Sequence, residues 1–220
     1  MLTRLLSLAA LGAILAAPSS AQTSSTPPAP IPPTSALPEK PAYKTIPVVL
    51  TTSAGKITIA LEVERAPVTA GNFLRYIDQK RFDGTDFYRA FTYPDSPDGL
   101  IQGGTRNDPK RILKPIAHEP TSKTGLTHDD GAISMARGAP GSADGDFFII
   151  LGKMGLDANP SAPGDNQGFA VFGHVTEGMD VVRGIAAMAR DPNKGVGAMR
   201  GQMLLTPVKI ISARRIAPAK

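Results

Sequence analysis

The sequence contains no cysteine and no tryptophan, and its aromatic side chains are limited to eight phenylalanines and four tyrosines. The missing cysteines exclude disulfides, thiolate nucleophiles, cysteine-ligated zinc and a cysteine-borne lipid anchor, while leaving the compartment open. Histidine is scarce as well. His118, His128 and His174 share none of the spacings of a zinc site, so lone histidines in loops or strands are the simpler account. There is no G-x-S-x-G, no P-loop and no G-x-G-x-x-G after a strand. Carboxylate pairs such as Asp129-Asp130 stand beside Gly131, where a turn explains them. The formal charge is +5, yet the basic residues are scattered, with no dense block and no interleaved aromatics. That pattern argues for solubility rather than for a nucleic-acid partner.

What the chain has in quantity is proline and glycine, 21 and 22 in 220 residues, which promises many turns. Its hydrophobic content of 41% suffices for one domain with a real core. Residues 1–21 have the three parts of a secretory signal peptide: Arg4, an apolar run from Leu5 to Ala17, and small residues at Ser19 and Ala21 before a cut. The apolar run falls short of the roughly 20 residues of a membrane span. After cleavage the charge drops to +4, since Arg4 is the only charged residue removed. Residues 22–47 carry eight prolines and are expected to form an extended, disordered tether. The folded domain is then expected over 48–220.

Within it, VVLTT, a turn at Ser53–Lys56, and ITIALEV predict a hairpin, with Ile57, Ile59, Leu61 and Val63 on one face. Pro67 to Lys80 predicts a helix with proline at its first position, although Ala66 is a poor cap. Short strands are expected near Phe87, Ile101, Ala132–Met135, Phe147–Leu151, Ala170–Val175 and Val208–Ala213. A second helix is expected over Gly178–Ala189, and residues 105–131 are expected to be mainly loop. Many short strands with two separate helices point to a closed or sandwich-like β domain rather than a parallel βαβ array.

The segment FYRAFTYPDSPDGLIQGG, from Phe87 to Gly104, places Arg89 beside aromatics with no nucleophile or base nearby. A surface ion-pair role is one reading. The other is a reaction needing neither nucleophile, metal nor cofactor, and rotation about an Xaa-Pro bond is such a reaction. Uncatalysed it takes tens to hundreds of seconds, because amide resonance must be broken. In the twisted state the imide nitrogen regains a lone pair, and a fixed guanidinium stabilises that state more than the planar one.

The segments APVTAGNFLRYIDQKRFDGTDFYRA, LIQGG, AHEPTSKTGL, ISMARGAPGSADGDFFI and GFAVFGHV, taken in this order, resemble the cyclophilin-type peptidyl-prolyl isomerases in their bacterial secreted form. The resemblance runs from about Val48 to the C-terminus. It implies a mainly β fold, a closed eight-stranded antiparallel β-barrel capped by two α-helices, with no cofactor, no metal and an active groove on the barrel's outer face. By the same resemblance Arg89 falls on the catalytic arginine and Gln102 on the glutamine that holds it. Phe148 falls on the floor of the proline pocket, and Leu100 and Leu156 on its walls. Met135, Ala136 and Arg137 fall on the strand that pairs with substrate backbone. Phe169 stands where the family has a pocket histidine, Asp146 where glutamine is common, and Arg137 where asparagine is common.

Two departures stand out against that resemblance. About five extra residues separate Arg89 from Gln102, and the pocket aromatic expected beside Leu100 is Gly99, with Phe91 and Tyr93 as possible substitutes. A further glycine, Gly155, replaces the aromatic that often precedes Leu156, which implies weak binding of cyclosporin. The implied function is a monomeric, periplasmic peptidyl-prolyl cis-trans isomerase acting on proline-containing segments of unfolded or exported proteins. The alternative is a non-catalytic proline-binding or chaperone module on the same fold.

Overall fold

The hairpin at the start of the domain shows how side-chain period builds this molecule. In the computed structural model, which describes residues 43–217, β1 (Ile46–Thr52) and β2 (Gly55–Leu61) pair in unbroken register from Ile46 opposite Leu61 to Thr52 opposite Gly55. Val48, Leu50, Ile57, Ile59 and Leu61 are fully buried, as the alternation requires. The signal peptide expected over 1–21 and the tether through residue 42 lie outside the described residues. Ile46 and Pro47, read from sequence as the tether's end, already belong to β1.

The remaining strands are β3 (Asp86–Thr92), β4 (Gly99–Gly104), β5 (Ala132–Met135), β6 (Asp146–Leu151), β7 (Ala170–Glu177), β8 (Arg190–Asp191) and β9 (Met203–Arg215). All pairings are antiparallel. They run β1-β2-β7-β5-β6-β4-β3-β9, and β9 returns to β1, so eight strands close a barrel. The two-residue β8 lies outside the ring, paired to β9. Closure removes the free edges that would otherwise invite pairing with another chain.

Among the described residues three α-helices accompany the barrel. α1 (Pro67–Asp78) stops two residues short of the expected end, and Lys80 follows with φ +56°, a left-handed conformation that no helix continues through. Its N-cap, Ala66, makes no side-chain bond. The carboxylate of Glu119 takes that place, accepting from the backbone N–H groups of Val68 and Thr69 and from the Thr69 hydroxyl. α2 (Thr121–Thr124) is a single turn inside the segment expected to be loop, closed by Gly125 at φ +67°. α3 (Met179–Ala186) is shorter than expected at both ends and buries Val182, Ile185 and Ala186. Among the described residues no helix is long and apolar enough to cross a membrane.

The core joins α1 to the barrel through aromatics. Phe73 of α1 meets Phe82, Phe147 and Phe172 at centroid distances of 4.8, 5.2 and 5.1 Å. Each such buried phenylalanine contributes roughly 1.5–3 kcal/mol through the apolar surface it removes from water. The next residue on β6, Phe148, faces the opposite way, because successive strand side chains alternate. It meets Phe169 edge-on instead, at 5.3 Å and 86°. That divergence of Phe147 and Phe148 separates the core from the site.

Candidate active site

The same alternation governs β4. Ile101 points into the barrel and is fully buried, while Leu100 and Gln102 line the outer face. On β3 simple alternation fails in an informative way. Phe87 faces the core, opposite Gly103, but the register shifts before Arg89 comes opposite Gln102. This bulge turns both Tyr88 and Arg89 outward, with Ala90 buried and Phe91 out again. A β-bulge adds a residue to one strand and re-aims side chains in this way.

The outward residues line a groove of about 540 Å³. Of the ten residues singled out from sequence, it brings together Arg89, Leu100, Gln102, Ala136, Arg137, Asp146, Phe148, Leu156 and Phe169. Met135 does not belong there. Its side chain is buried in the core, and β5 is paired on both sides at this residue, with Phe147 and with Ala170. Any backbone that β5 could offer a bound peptide lies just past the strand, at Ala136 and Arg137.

Arg89 is fixed by two amides. Its Nη1 donates to Gln102 Oε1 at 2.6 Å and its Nε to Gln202 Oε1 at 2.8 Å. A guanidinium carries five N–H donors, and the other three have no hydrogen-bond partner among the described residues. Among the described residues no carboxylate pairs with it directly. Gln102 is held in turn, its Nε2 donating to the Tyr88 hydroxyl at 2.9 Å, which donates to Asp146 Oδ2 at 3.1 Å. Burial pushes the Tyr88 phenol well above its ordinary value, and the Asp146 carboxylate adds to the shift, so this donor stays protonated. Burial also raises the Asp146 carboxyl, opposed by the bonds it accepts from the Arg106 N–H and from Tyr88. Desolvation lowers Arg89 from its usual value, but a guanidinium remains charged at any working pH.

Leu100, Phe148, Met154, Leu156 and Phe169 form the apolar part of the groove. Phe91 lines it as well, whereas Tyr93 is 46% exposed and packs edge-on against Phe91 at 4.8 Å. Of the two aromatics that could stand in for the one missing at residue 99, Phe91 is therefore the one that reaches the groove. Gly99 itself is dictated by packing, since a Cβ there would lie 2.0 Å from the Phe91 carbonyl oxygen.

The Arg137 guanidinium is committed to partners within the protein. It donates to the Gly168 carbonyl and to both oxygens of Asp165, and its guanidinium lies 5.1 Å from the Phe169 ring centre. The hydrogen bond from Arg137 leads the causes that lower Asp165, to about 2. Arg137 thus braces the loop that carries Phe169.

His128 lies behind the pocket floor. Its Nδ1 is 2.7 Å from Asp157 Oδ1 and its Nε2 is 3.1 Å from Ser134 Oγ. The carboxylate must accept, so the neutral ring donates from Nδ1 and accepts the Ser134 hydroxyl at Nε2. The order matches a hydrolytic triad, but His128 and Ser134 are 1% and 0% exposed, sealed in the barrel wall, and the set is structural. His118 and His174 lie elsewhere, and the described residues hold no cluster suited to a metal.

Sequence reasoning missed Tyr88, Met154, Met199 and Gln202. Tyr88 stood beside Arg89 in the quoted motif and could have been found. Gln202 lies 113 residues from Arg89 and had no local signal.

The family model for cyclophilin type peptidyl-prolyl cis-trans isomerase/CLD matches residues 47–214. The chain belongs to the cyclophilin-type peptidyl-prolyl cis-trans isomerases. Its reaction is accordingly the cis-trans isomerisation of Xaa-Pro bonds. A peptidyl-prolyl cis-trans isomerase of Streptomyces antibioticus is 38% identical over 175 residues, covering 76% of this chain and 96% of the relative. One from Acinetobacter baylyi is 36% identical over 172 residues, covering 76% and 84%. The fold matches the crystal structure of a Cryptosporidium parvum cyclophilin type peptidyl-prolyl cis-trans isomerase with a TM-score of 0.62 at 18% identity, covering 80% of this chain and all of the other. A second structure of that isomerase, determined in the presence of the dipeptide Ala-Pro, gives a TM-score of 0.60 at 19% identity, covering 78% and 99%.

Proposed function

We propose that this cyclophilin rotates Xaa-Pro bonds in unfolded segments of exported proteins, with Arg89 stabilising the twisted bond and the apolar pocket of Leu100, Phe148, Met154, Leu156 and Phe169 receiving the proline ring. One observation carries this reading. Among the described residues Arg89 is immobilised at the edge of that pocket by neutral amides only, so its charge and three N–H donors are left for a ligand. In the planar ground state the imide nitrogen is a poor acceptor. In the twisted state it accepts from the guanidinium, and only the transition state gains. From ~0.01 s⁻¹ uncatalysed to an ordinary turnover of roughly 1–10³ s⁻¹, the site must supply about 3–7 kcal/mol. A fixed cation in a partly desolvated groove is of the right strength. The groove's polar side, Gln102 with the backbone of Ala136 and Arg137, is suited to holding peptide backbone. Action on exported proteins in the periplasm rests on the signal-peptide form of residues 1–21.

The test is a proline-isomerisation assay on an Ala-Xaa-Pro-Phe peptide. The chain should accelerate the reaction, and Arg89→Ala should lose about 10²-fold in kcat/KM. Its melting temperature should move by no more than about 2 °C, as for a residue outside the core. Rates indistinguishable from the uncatalysed reaction would sink the proposal in favour of a proline-binding chaperone. For location, the N-terminus of the mature chain decides: a start at Gln22 is expected, and an intact Met1 refutes cleavage.

A further inference from the structure

We infer that Gln202 is a positioning residue for the isomerisation, acting through Arg89, an inference that rests on the arginine mechanism proposed above. The side chain is set from three directions. Its backbone carbonyl accepts the N–H of Ala90, the residue after Arg89, at 3.0 Å. Its Nε2 donates to the Ala198 carbonyl at 2.8 Å. That leaves Oε1 aimed at Arg89 Nε. The donor and acceptor ends of the amide are therefore both assigned by their partners, and a flipped amide would set N–H against N–H at Arg89.

The segment that presents Gln202 is built for close turns. A 3₁₀ turn over Gly197–Met199 follows β8, with Gly195, Gly197 and Gly201 all at positive φ. A Cβ at Gly195 would lie 2.2 Å from the Met199 carbonyl oxygen. Ala198, Met199 and Gln202 of this segment also line the groove. The turn thus delivers both a wall and an acceptor to the far side of Arg89 from β4.

Two acceptors on different nitrogens define a plane where one does not. With Gln102 alone, the guanidinium pivots about its Nη1 contact. With Gln202 on Nε, rotation about the Cδ–Nε bond is stopped, and the free donors keep one direction. Both acceptors are neutral. A carboxylate at either place would fix the plane as well but would pair the charge that the twisted bond needs. The choice of two glutamines satisfies both conditions at once.

The experiment is a double-mutant cycle with a spectroscopic arm. In wild-type background, Gln202→Ala and the length-preserving Gln202→Met should each lower kcat about tenfold with KM changed less than about twofold, the mark of lost orientation rather than lost binding. In an Arg89→Ala background, read at enzyme concentrations high enough for the residual rate, neither should cause further loss. In ¹H–¹⁵N spectra the Arg89 Nε–H should be slowly exchanging in the wild type and exchange-broadened in Gln202→Met. An equal further loss in the Arg89→Ala background, or an unchanged kcat where Arg89→Ala is impaired, overturns the inference while leaving the arginine mechanism standing. If the wild type does not accelerate rotation, the arginine mechanism falls, and an Nε–H signal unaltered by Gln202→Met overturns the positioning as well.

Discussion

At the scale of single residues, the site depends on what Gly99 omits as much as on what Arg89 supplies. Gly99 sits opposite Thr92 on β3 and opposite Leu151 on β6, in the middle of three paired strands. Any side chain there strikes the carbonyl of Phe91 and the Cα of Thr92, at 2.0 and 2.9 Å. Gly99→Ala must part β3 from β4 locally, and it does so next to Phe91. We expect a loss of about 1–3 kcal/mol, as for other overpacked sites, and a melting temperature lower by about 3–10 °C. Because Phe91 moves with the displaced backbone, KM for a proline peptide should rise as well. A variant with wild-type melting and wild-type KM would show that the ladder yields freely at this point and that Phe91 is not set by it.

At the scale of elements, α1 illustrates what local pattern conceals. Pro67 at the first turn and the face formed by Phe73, Leu74 and Ile77 announce the helix, and Ala66 announces a missing cap. The cap is Glu119, about 50 residues on, with both carboxylate oxygens on the helix N-terminus and 2% exposure. The helix dipole favours an anion there, and each buried N–H left unpaired costs roughly 1–3 kcal/mol. Glu119→Ala should therefore lower stability by about 2–4 kcal/mol, and Glu119→Gln by about half, read by urea or thermal melts. A Glu119→Ala melt within about 1 °C of wild type would mean that water caps α1 equally well. The same limit governs the rest of the comparison with sequence. Strands such as Ile57–Leu61 were legible because burial alternates along one chain segment. Residues from FYRA, LIQGG and DFFI meet because β3, β4 and β6 are neighbours in the sheet. The barrel's closure came from resemblance, not from alternation, which fixes the face of a strand and not its partner. The bulge before Arg89 and the approach of Gln202 are pairings between distant segments, and no local period carries them.

At the scale of the whole molecule, the pocket floor is coupled to global stability through a buried histidine. His128 is sealed behind Phe148, its ring 6.2 Å away and within 12° of parallel. Burial lowers its pKa from the ordinary 6.5, and the bond to Asp157 opposes the shift without cancelling it. The folded protein therefore binds fewer protons at this residue than the unfolded chain wherever the pH lies between the two values. Stability rises with pH across that interval. The contribution is complete above the unfolded value of about 6.5 and is lost as the pH falls toward the folded one. Asp146 works in the opposite sense. Its pKa is raised by burial, so its contribution declines as the pH rises from 3.8 through the folded value. Asp78 and Asp83 are lowered by their arginine partners and lose stability only below the ordinary 3.8. Between pH 7 and 5.5 the described group expected to weaken the fold on acidification is thus His128, with a slope of at most about 1.4 kcal/mol per pH unit. Urea titrations should show stability falling over this range in the wild type. In His128→Gln, which has no titrating ring, stability should not fall over this range, whatever its absolute height. A slope of equal size in both proteins would place the titration elsewhere and detach the pocket floor from the pH response.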